Sequence, residues 1–308
     1  MPSFHVQRSI VIAAPAAQIH EIVRDFRTWP DWSPWLIAEP EATLSFAEDG
    51  RSYSWDGKVT GAGVMQVESE DAPGRINYRL DFLRPWKSSN TVGFSFHPKD
   101  GGTEVVWTME GSLPWFMFWM RTMMSGFIGA DYDRGLRMLK DRVETGTVPS
   151  ALEFPGLALV DTFHFVGLRR ECPIGGIGPS MQATMEELDS GLDAAGIETA
   201  GRPLSVCHHW SPSKDRMTYT LAYPVAAAPA ALPDGFVTGR IPGCQTYRVR
   251  HTGAYRHLGN AWAAGMMHAR SKRFRGRRDL RPFEIYQSDP ETTPEPERVV
   301  VVHIPAKG

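Results

Sequence analysis

The feature that most restricts the fold of this chain is a series of short alternating segments between residues 41 and 111. Apolar and polar side chains alternate along each segment, which is typical of a half-buried β-strand. The segments span 51–60, 63–69, 75–82, 90–97 and 103–110. Turn-forming residues separate them, at Asp49-Gly50, at Pro73-Gly74 and at Asp100-Gly101-Gly102. The sequence therefore predicts an antiparallel meander.

Helical segments flank the meander. A strand over 4–13 and a helix from Pro15 to about Phe26 precede it, and a helix over about 114–144 follows it. The later part of this second helix carries an apolar stripe: Tyr132, Leu136, Leu139 and Val143. This order predicts an α+β domain over residues 1–146, in which a curved sheet wraps a long C-terminal helix.

The second half repeats the order strand, helix, strand, strand. The predicted elements of the two copies span 157–169, 179–195, 203–210 and 216–223, then 243–251, 255–270, 282–286 and 298–304. Each copy has a single amphipathic helix, so we expect the two copies to share one sheet. The helical period is lost near Gly146, which predicts a linker over 147–154 and a duplicated β-α-β-β domain over 155–308.

Composition limits the classes of partner. The 33 basic and 35 acidic residues give a net charge of −2, so no nucleic-acid partner is expected. The three cysteines are widely spaced, which argues against a zinc site or a disulfide framework and favours a reducing compartment. Because the N-terminus carries no secretory pattern, a cytoplasmic location is expected. The apolar segment 113–130 has Arg121 near its centre, which favours a buried helix over a membrane span.

Motifs for metal, nucleotide or nucleophilic chemistry are missing from the sequence. His208 and His209 are adjacent in a predicted strand, so their side chains point to opposite faces and cannot chelate one ion. Neither a GxSxG elbow, a GxGxxG segment after a strand nor a P-loop occurs. We expect no metal and no cofactor.

The first half resembles the SRPBCC (START-like, polyketide cyclase/dehydrase) superfamily over about residues 4–146. The resemblance rests on Ala14-Pro15-Ala16-Ala17-Gln18-Ile19, on Trp29–Trp35 and on Gly135–Lys140. It implies a helix-grip fold with a deep apolar cavity and no common catalytic set. An aromatic and Met-rich stretch, from Trp115 to Phe127, would then roof the cavity. Other residues that could reach the cavity are Trp55, Arg84, Trp86 and Trp107.

The second half resembles the gyrase-inhibitor-like (GyrI-like) effector-binding domains over about residues 155–306. The resemblance rests on His251–Tyr255, Trp262, the strand Pro282–Tyr286 and the residues Asp289-Pro290 and Thr293–Glu295 that follow it. It implies a glutamate, here Glu284, in an aromatic-lined cleft. Some stand-alone members of that family resemble hydrolases of cyclopropane-containing electrophiles. A DNA-binding helix-turn-helix does not precede the domain in this sequence.

Strand geometry predicts which neighbours share a face with Glu284. Alternation puts Glu284 and Tyr286 on one face and Phe283 and Ile285 on the other. We expect the apolar pair to pack beneath the helices, with Glu284 and Tyr286 facing a cleft on the opposite side. The predicted ligand-binding residues are Glu284, Tyr286, Tyr255, Tyr219 and Trp262.

Several functions remain open on the sequence. A carboxylate among aromatic rings can hold a small hydrophobic or cationic organic ligand, which would suit a protein that senses or detoxifies xenobiotics. The alternative is a hydrolase of strained or electrophilic substrates, in which Glu284 is the general base and Tyr255 assists. A plainer alternative makes Glu284 a solvated residue on an edge strand. A regulatory role toward a protein partner such as a gyrase rests on the family name alone, and the protein partner stays unknown.

Overall fold

The protein divides into two compact units, Met1–Pro149 and Ser150–Gly308. A computed structural model describes residues 3–112 and 119–307. Both units combine antiparallel sheets with a few helices, so the α+β class is confirmed. Within the described ranges, no helix is long and apolar enough to span a membrane.

The first unit contains a seven-stranded antiparallel sheet. Its strands are β1 (Ser3–Ile12), β2 (Thr43–Phe46), β3 (Ser52–Asp56), β4 (Ala62–Asp71), β5 (Arg75–Arg84), β6 (Ser88–Lys99) and β7 (Gly102–Ser112). They lie in the order β1-β7-β6-β5-β4-β3-β2, so β2 to β7 form a meander and β1 pairs with its last strand. The short edge strand β2 was not predicted. Its alternation is too short to identify on its own.

The described part of the first unit also contains two α-helices. Helix α1 spans Ala16–Arg24 and α2 spans Arg121–Thr145. The predicted apolar stripe of α2 is buried, and the helix ends where Gly146 adopts the left-handed φ of 81°. The predicted start near Pro114, together with Trp115, Phe116 and Phe118, lies outside the described residues.

The second unit contains an eight-stranded antiparallel sheet. Its strands are β8 (Ser150–Val160), β9 (Phe163–Cys172), β10 (Leu204–Ser211), β11 (Arg216–Val225), β12 (Phe236–Ile241), β13 (Cys244–Gly253), β14 (Phe283–Tyr286) and β15 (Val299–Pro305). They lie in the order β12-β9-β11-β10-β14-β15-β13-β8.

One long two-stranded ribbon supplies both ends of this sheet. Strands β8 and β9 follow one another after only Asp161 and Thr162, and β12 and β13 follow one another after Pro242 and Gly243. Val160 is paired with Cys244 at one end of the sheet, and Phe163 is paired with Ile241 at the other. The sheet therefore curves so that its two ends are connected through this ribbon.

Two sequence predictions are wrong at this ribbon. The predicted single strand 157–169 is two strands, because the chain changes partners at residues 161–162. Residues 150–154, predicted as the end of a linker, form the first half of β8 and pair with β13. Their backbone hydrogen bonds involve a strand almost a hundred residues away, which local sequence patterns do not register.

Helices α3 (Ile177–Ala194) and α4 (Gly259–Arg270) pack on one face of the sheet. Helix α3 contacts β9 and β11, and α4 contacts β13, β15 and β8. Their apolar cores contain, among others, Val166, Leu168, Leu188, Leu192 and Leu221 under α3 and Val249, Ala261, Val300 and Val302 under α4. The alternate residues of the same strands form a third apolar cluster on the other face: Phe165, Leu204, Val206, Ala222, Ile241 and Phe283.

Candidate functional site

Strand β14 places Glu284 in the middle of the sheet. The strand is short, but it lies between β10 and β15, and Glu284 is paired with Ser205 on one side and with Val302 on the other. The plainer expectation of a solvated residue on an edge strand is therefore wrong. Glu284 is only 3% exposed.

The predicted pairing of faces is partly right. Glu284 and Tyr286 share a face, as strand alternation requires. That face is the helix side, because Glu284 contacts Trp262 of α4 and Tyr286 packs against the apolar cores of both helices. Phe283 and Ile285 pack in the cluster on the opposite face. The expectation that Phe283 and Ile285 lie beneath the helices is wrong, since alternation fixes which residues go together and not where the helices pack.

Both carboxylate oxygens of Glu284 accept hydrogen bonds from aromatic side chains. The indole Nε1 of Trp262 donates to Oε2, and the hydroxyl of Tyr286 donates to Oε1 over 2.7 Å. Burial raises the pKa of Glu284 above its ordinary value, while the donors Tyr286 and Trp262 oppose that rise. None of the described basic side chains forms an ion pair with this carboxylate.

Tyr255 reaches the site through its ring rather than its hydroxyl. Its ring meets that of Tyr286 edge-on, with 5.6 Å between centroids. Its hydroxyl donates to the carbonyl of Ser288 over 3.4 Å. The guanidinium of Arg298 lies 5.4 Å from the centroid of the Tyr255 ring. Tyr286, and not Tyr255, is therefore the tyrosine that contacts the Glu284 carboxylate.

Tyr219 lies on the same face but belongs to the α3 side. It is fully buried, and its hydroxyl is hydrogen-bonded to Ser180 Oγ over 2.7 Å and to Thr184 Oγ1 over 3.0 Å. The contacts divide the five predicted residues into three groups. Glu284, Tyr286 and Trp262 are in direct contact, Tyr255 joins them by its ring, and Tyr219 is held by α3.

The sequence interpretation missed two neighbours of the carboxylate. Cys207 lies close to Glu284. Burial is the larger cause and the charge of Glu284 the next, and together they raise the pKa of Cys207 to about 12. Ser205 is buried and paired with Glu284 across β10 and β14. The strand register would have identified both, but it depends on a pairing between segments about eighty residues apart.

Metal ligands are not grouped in the described part of the chain, where no cluster of three or more His, Cys, Asp or Glu could hold an ion. His208 Nε2 is instead hydrogen-bonded to Thr220 Oγ1 over 2.7 Å. His251, fully buried, contacts Ser150 Oγ over 3.2 Å.

Aromatic rings pack against one another in the interior of the first unit. Trp107 stacks on Tyr132 with 4.0 Å between centroids, and it meets Trp29, Trp32 and Trp35 edge-on. Of the other residues suggested for a cavity, Trp55 is buried against Tyr53 and Phe82, whereas Arg84 pairs with Asp56 at the surface and Trp86 is exposed.

Family comparisons assign both units. Residues 3–144 match the family described as polyketide cyclase / dehydrase and lipid transport, which is the SRPBCC type. Residues 159–307 match the family described as GyrI-like small molecule binding domain. The chain is an SRPBCC domain followed by a GyrI-like domain. Both resemblances stated from the sequence are confirmed, and the chain carries small-molecule binding domains.

Solved structures similar to the chain each extend over about half of it. Protein CV1439 from Chromobacterium violaceum is 14% identical, with coverage of 46% of this chain and 96% of that chain and a TM-score of 0.35. SAV2435 bound to tetraphenylphosphonium is 15% identical, with 51% and 94% coverage and a TM-score of 0.41. The C-terminal domain of EcmrR is 14% identical, with 51% and 98% coverage and a TM-score of 0.40. No curated protein matches the chain.

Proposed function

We propose that the GyrI-like domain binds an organic cation with an aromatic or otherwise apolar body, and that Glu284 supplies the opposing charge. The observation that carries the proposal is a carboxylate 3% exposed, held by two neutral donors and without a basic partner among the described residues. A buried charge normally has a partner, because desolvation is costly. A cationic ligand would provide that partner.

The rings around Glu284 suit such a ligand. Trp262, Tyr286 and Tyr255 surround the carboxylate or adjoin it, and the faces of aromatic rings attract cations. Because Glu284 is only 3% exposed, a cation gains contact with it only when one of the two donor rings moves. Trp262 is the better candidate, since it projects from α4, whereas Tyr286 is fixed in the central strand β14.

The test is isothermal titration of the full chain with tetraphenylphosphonium, a hydrophobic aromatic cation. A charge-assisted contact is worth about 1.5–3 kcal/mol, so Glu284→Gln should raise Kd on the order of 10- to 100-fold. The matched control is Glu171→Gln, which removes a carboxylate of the same domain that is exposed and pairs with Arg216 over 3.3 Å. Triphenylphosphine oxide, which has similar rings and no charge, should bind far more weakly.

Equal affinity of wild type and Glu284→Gln for the cation would refute the role of Glu284. Equal affinity for the cation and the neutral compound would show that the rings alone bind.

Hydrolysis is the second candidate function, and one observation favours it. Burial raises the pKa of Glu284, which suits a general acid or base near neutral pH. In this arrangement Tyr286 is the assisting phenol, because Tyr255 does not touch the carboxylate. Turnover of cyclopropane-bearing electrophiles that disappears in Glu284→Gln would establish it. Binding of such compounds without turnover would leave the domain a binding module.

The finer features of both domains enter the same proposal. We propose that the SRPBCC domain has the helix-grip arrangement and takes an apolar ligand between its sheet and α2. We also propose that β9-α3-β10-β11 and β13-α4-β14-β15 are duplicated halves, because the sheet order is symmetric about the β10–β14 pair. A cytoplasmic protein of this kind would sense or detoxify xenobiotics. Mass spectrometry of ligands released from each domain of the purified chain tests these assignments.

A further inference from the structure

A second concave surface lies on the sheet face opposite Glu284. This sheet groove has a volume of about 600 Å³ and is lined, among others, by Phe165, Arg169, Val206, His208, Arg281 and Phe283. Small-molecule sites commonly measure about 300–1,000 Å³. Helices α3 and α4 pack on the other face, so the groove is separated from Glu284 by the thickness of the sheet.

The base of the sheet groove is apolar and rigid. Phe165, Val206 and Phe283 come from the adjacent or nearby strands β9, β10 and β14, and all three are buried in the cluster on this face. Phe283 stacks on His303 with an interplanar angle of 2° and 4.8 Å between centroids. A flat apolar surface fixed by central strands favours a ligand with a planar apolar body.

Three arginines line the sheet groove, Arg169, Arg240 and Arg281, and none of them forms an ion pair with a described carboxylate. Neighbouring arginines of this domain do have one: Arg170 bonds Glu187 over 2.6 Å, and Arg277 bonds Asp279. Arg169 and Arg281, in contrast, form no ion pair with any described carboxylate. Asp279 is the carboxylate among the described residues that line the groove, and Arg277 already neutralises it.

The positive charge at this end of the groove affects the pKa of His208. It belongs to strand β10, and its side chain is hydrogen-bonded to Thr220. Arg281 donates to the carbonyl of His208 over 3.1 Å. Burial, followed by the charges of Arg169 and Arg281, lowers the pKa of His208. The imidazole therefore stays neutral at pH 7 and leaves the two guanidinium groups as the charges of this end.

We infer that the sheet groove binds a small organic anion with a planar apolar body, such as an aromatic carboxylate. Its acidic group lies against Arg169 and Arg281, and its rings lie on the apolar base of the groove near Phe165 and Val206. Guanidinium groups suit this role because their donors match the two oxygens of a carboxylate. This site is independent of the cation site proposed at Glu284.

The experiment is calorimetric titration of the full chain with 1-naphthoate. We expect one molecule per chain, and an affinity that falls as salt increases. Arg169→Gln should weaken binding about tenfold, as expected for the loss of one charge-assisted contact. The matched control is Arg170→Gln, which removes the neighbouring charge on the opposite face and should leave Kd unchanged. The uncharged 1-naphthylmethanol should bind the wild-type chain no more tightly than 1-naphthoate binds the Arg169→Gln variant.

Three results would overturn the inference: equal loss of affinity in Arg169→Gln and Arg170→Gln, equal affinity for the acid and the alcohol, or no saturable binding. Arg281→Lys supplies a second variant that keeps the charge and removes the planar fork, and it should weaken binding less than Arg169→Gln. Glu284→Gln should not change the affinity for 1-naphthoate. If tetraphenylphosphonium fails to bind while 1-naphthoate binds, the cation proposal fails and the sheet-groove site stands.

Discussion

The hydrogen bond from Trp262 to Glu284 gives a sharp test of how the buried carboxylate is held. Replacing Trp262 with Phe keeps an aromatic ring on α4 and removes the Nε1–H donor, so Oε2 loses the one donor that the structure gives it. Tyr286 then remains as the only described donor to this carboxylate. A hydrogen bond to a charged group is worth about 1.5–3 kcal/mol, and one between neutral groups about 0.5–1.5 kcal/mol.

These magnitudes define a double-mutant cycle. Trp262→Phe should lower the free energy of unfolding by about 1.5–3 kcal/mol in the wild-type background. In the Glu284→Gln background the same substitution should cost about 1 kcal/mol less, since the acceptor is neutral. The lost contact area of the smaller ring is common to both backgrounds and cancels in the cycle.

Differential scanning calorimetry of the full chain provides the assay. The SRPBCC domain serves as an internal reference where the thermogram resolves two transitions, because neither substitution lies in it. A coupling energy of zero at pH 7 would refute the idea that the indole stabilises a charged carboxylate. It would mean that Glu284 is protonated at that pH or that the indole contributes packing alone.

Three further predictions concern stability. Burial raises the folded-state pKa of Glu284, so the folded state binds this proton more tightly than the unfolded state does. The GyrI-like domain should therefore be most stable below the unfolded-state pKa and lose stability as pH rises through the folded-state pKa. Urea titrations of Glu284→Gln should not show this loss. Tyr219→Phe removes two hydrogen bonds inside the core and should cost about 1–3 kcal/mol by chemical denaturation. Tyr223→Phe is the milder control, because the Tyr223 hydroxyl donates to Met185 Sδ over 3.7 Å. Burial raises the pKa of Glu39, but the hydrogen bonds that its carboxylate accepts from Thr60 and Val59 outweigh burial, so the net effect lowers the pKa. The SRPBCC domain should therefore lose stability as pH falls through the folded-state pKa of Glu39. Thermal scans of Glu39→Gln should not show this loss.

Local patterns predicted most elements of the fold. Alternation located the central strands of both sheets, and it grouped Glu284 with Tyr286 correctly because a period of two residues is a property of the strand itself. The same reasoning placed Phe283 under the helices, which is wrong. The face on which a helix packs is decided by the path of the chain over the whole sheet, and no local period records it.

The site shows the same division. The five residues were chosen from the family resemblance and from strand alternation, and three of them are in direct contact. The assisting phenol was predicted to be Tyr255, whose hydroxyl instead meets a backbone carbonyl. The contribution of Cys207 depends on the register of β10 against β14, and such long-range pairings are set by side-chain packing between distant segments.

The ribbon formed by β8–β9 and β12–β13 makes the GyrI-like domain indivisible even though its order of elements repeats. One end of the sheet contains β9 and β12, and the other end contains β8 and β13. Each end therefore combines one strand of the β8–β9 segment with one strand of the β12–β13 segment. A cut between β11 and β12 would leave each fragment with half of the ribbon and an unpaired edge. The two fragments would then fold only by associating, so the Glu284 site and the sheet groove would be lost or recovered together.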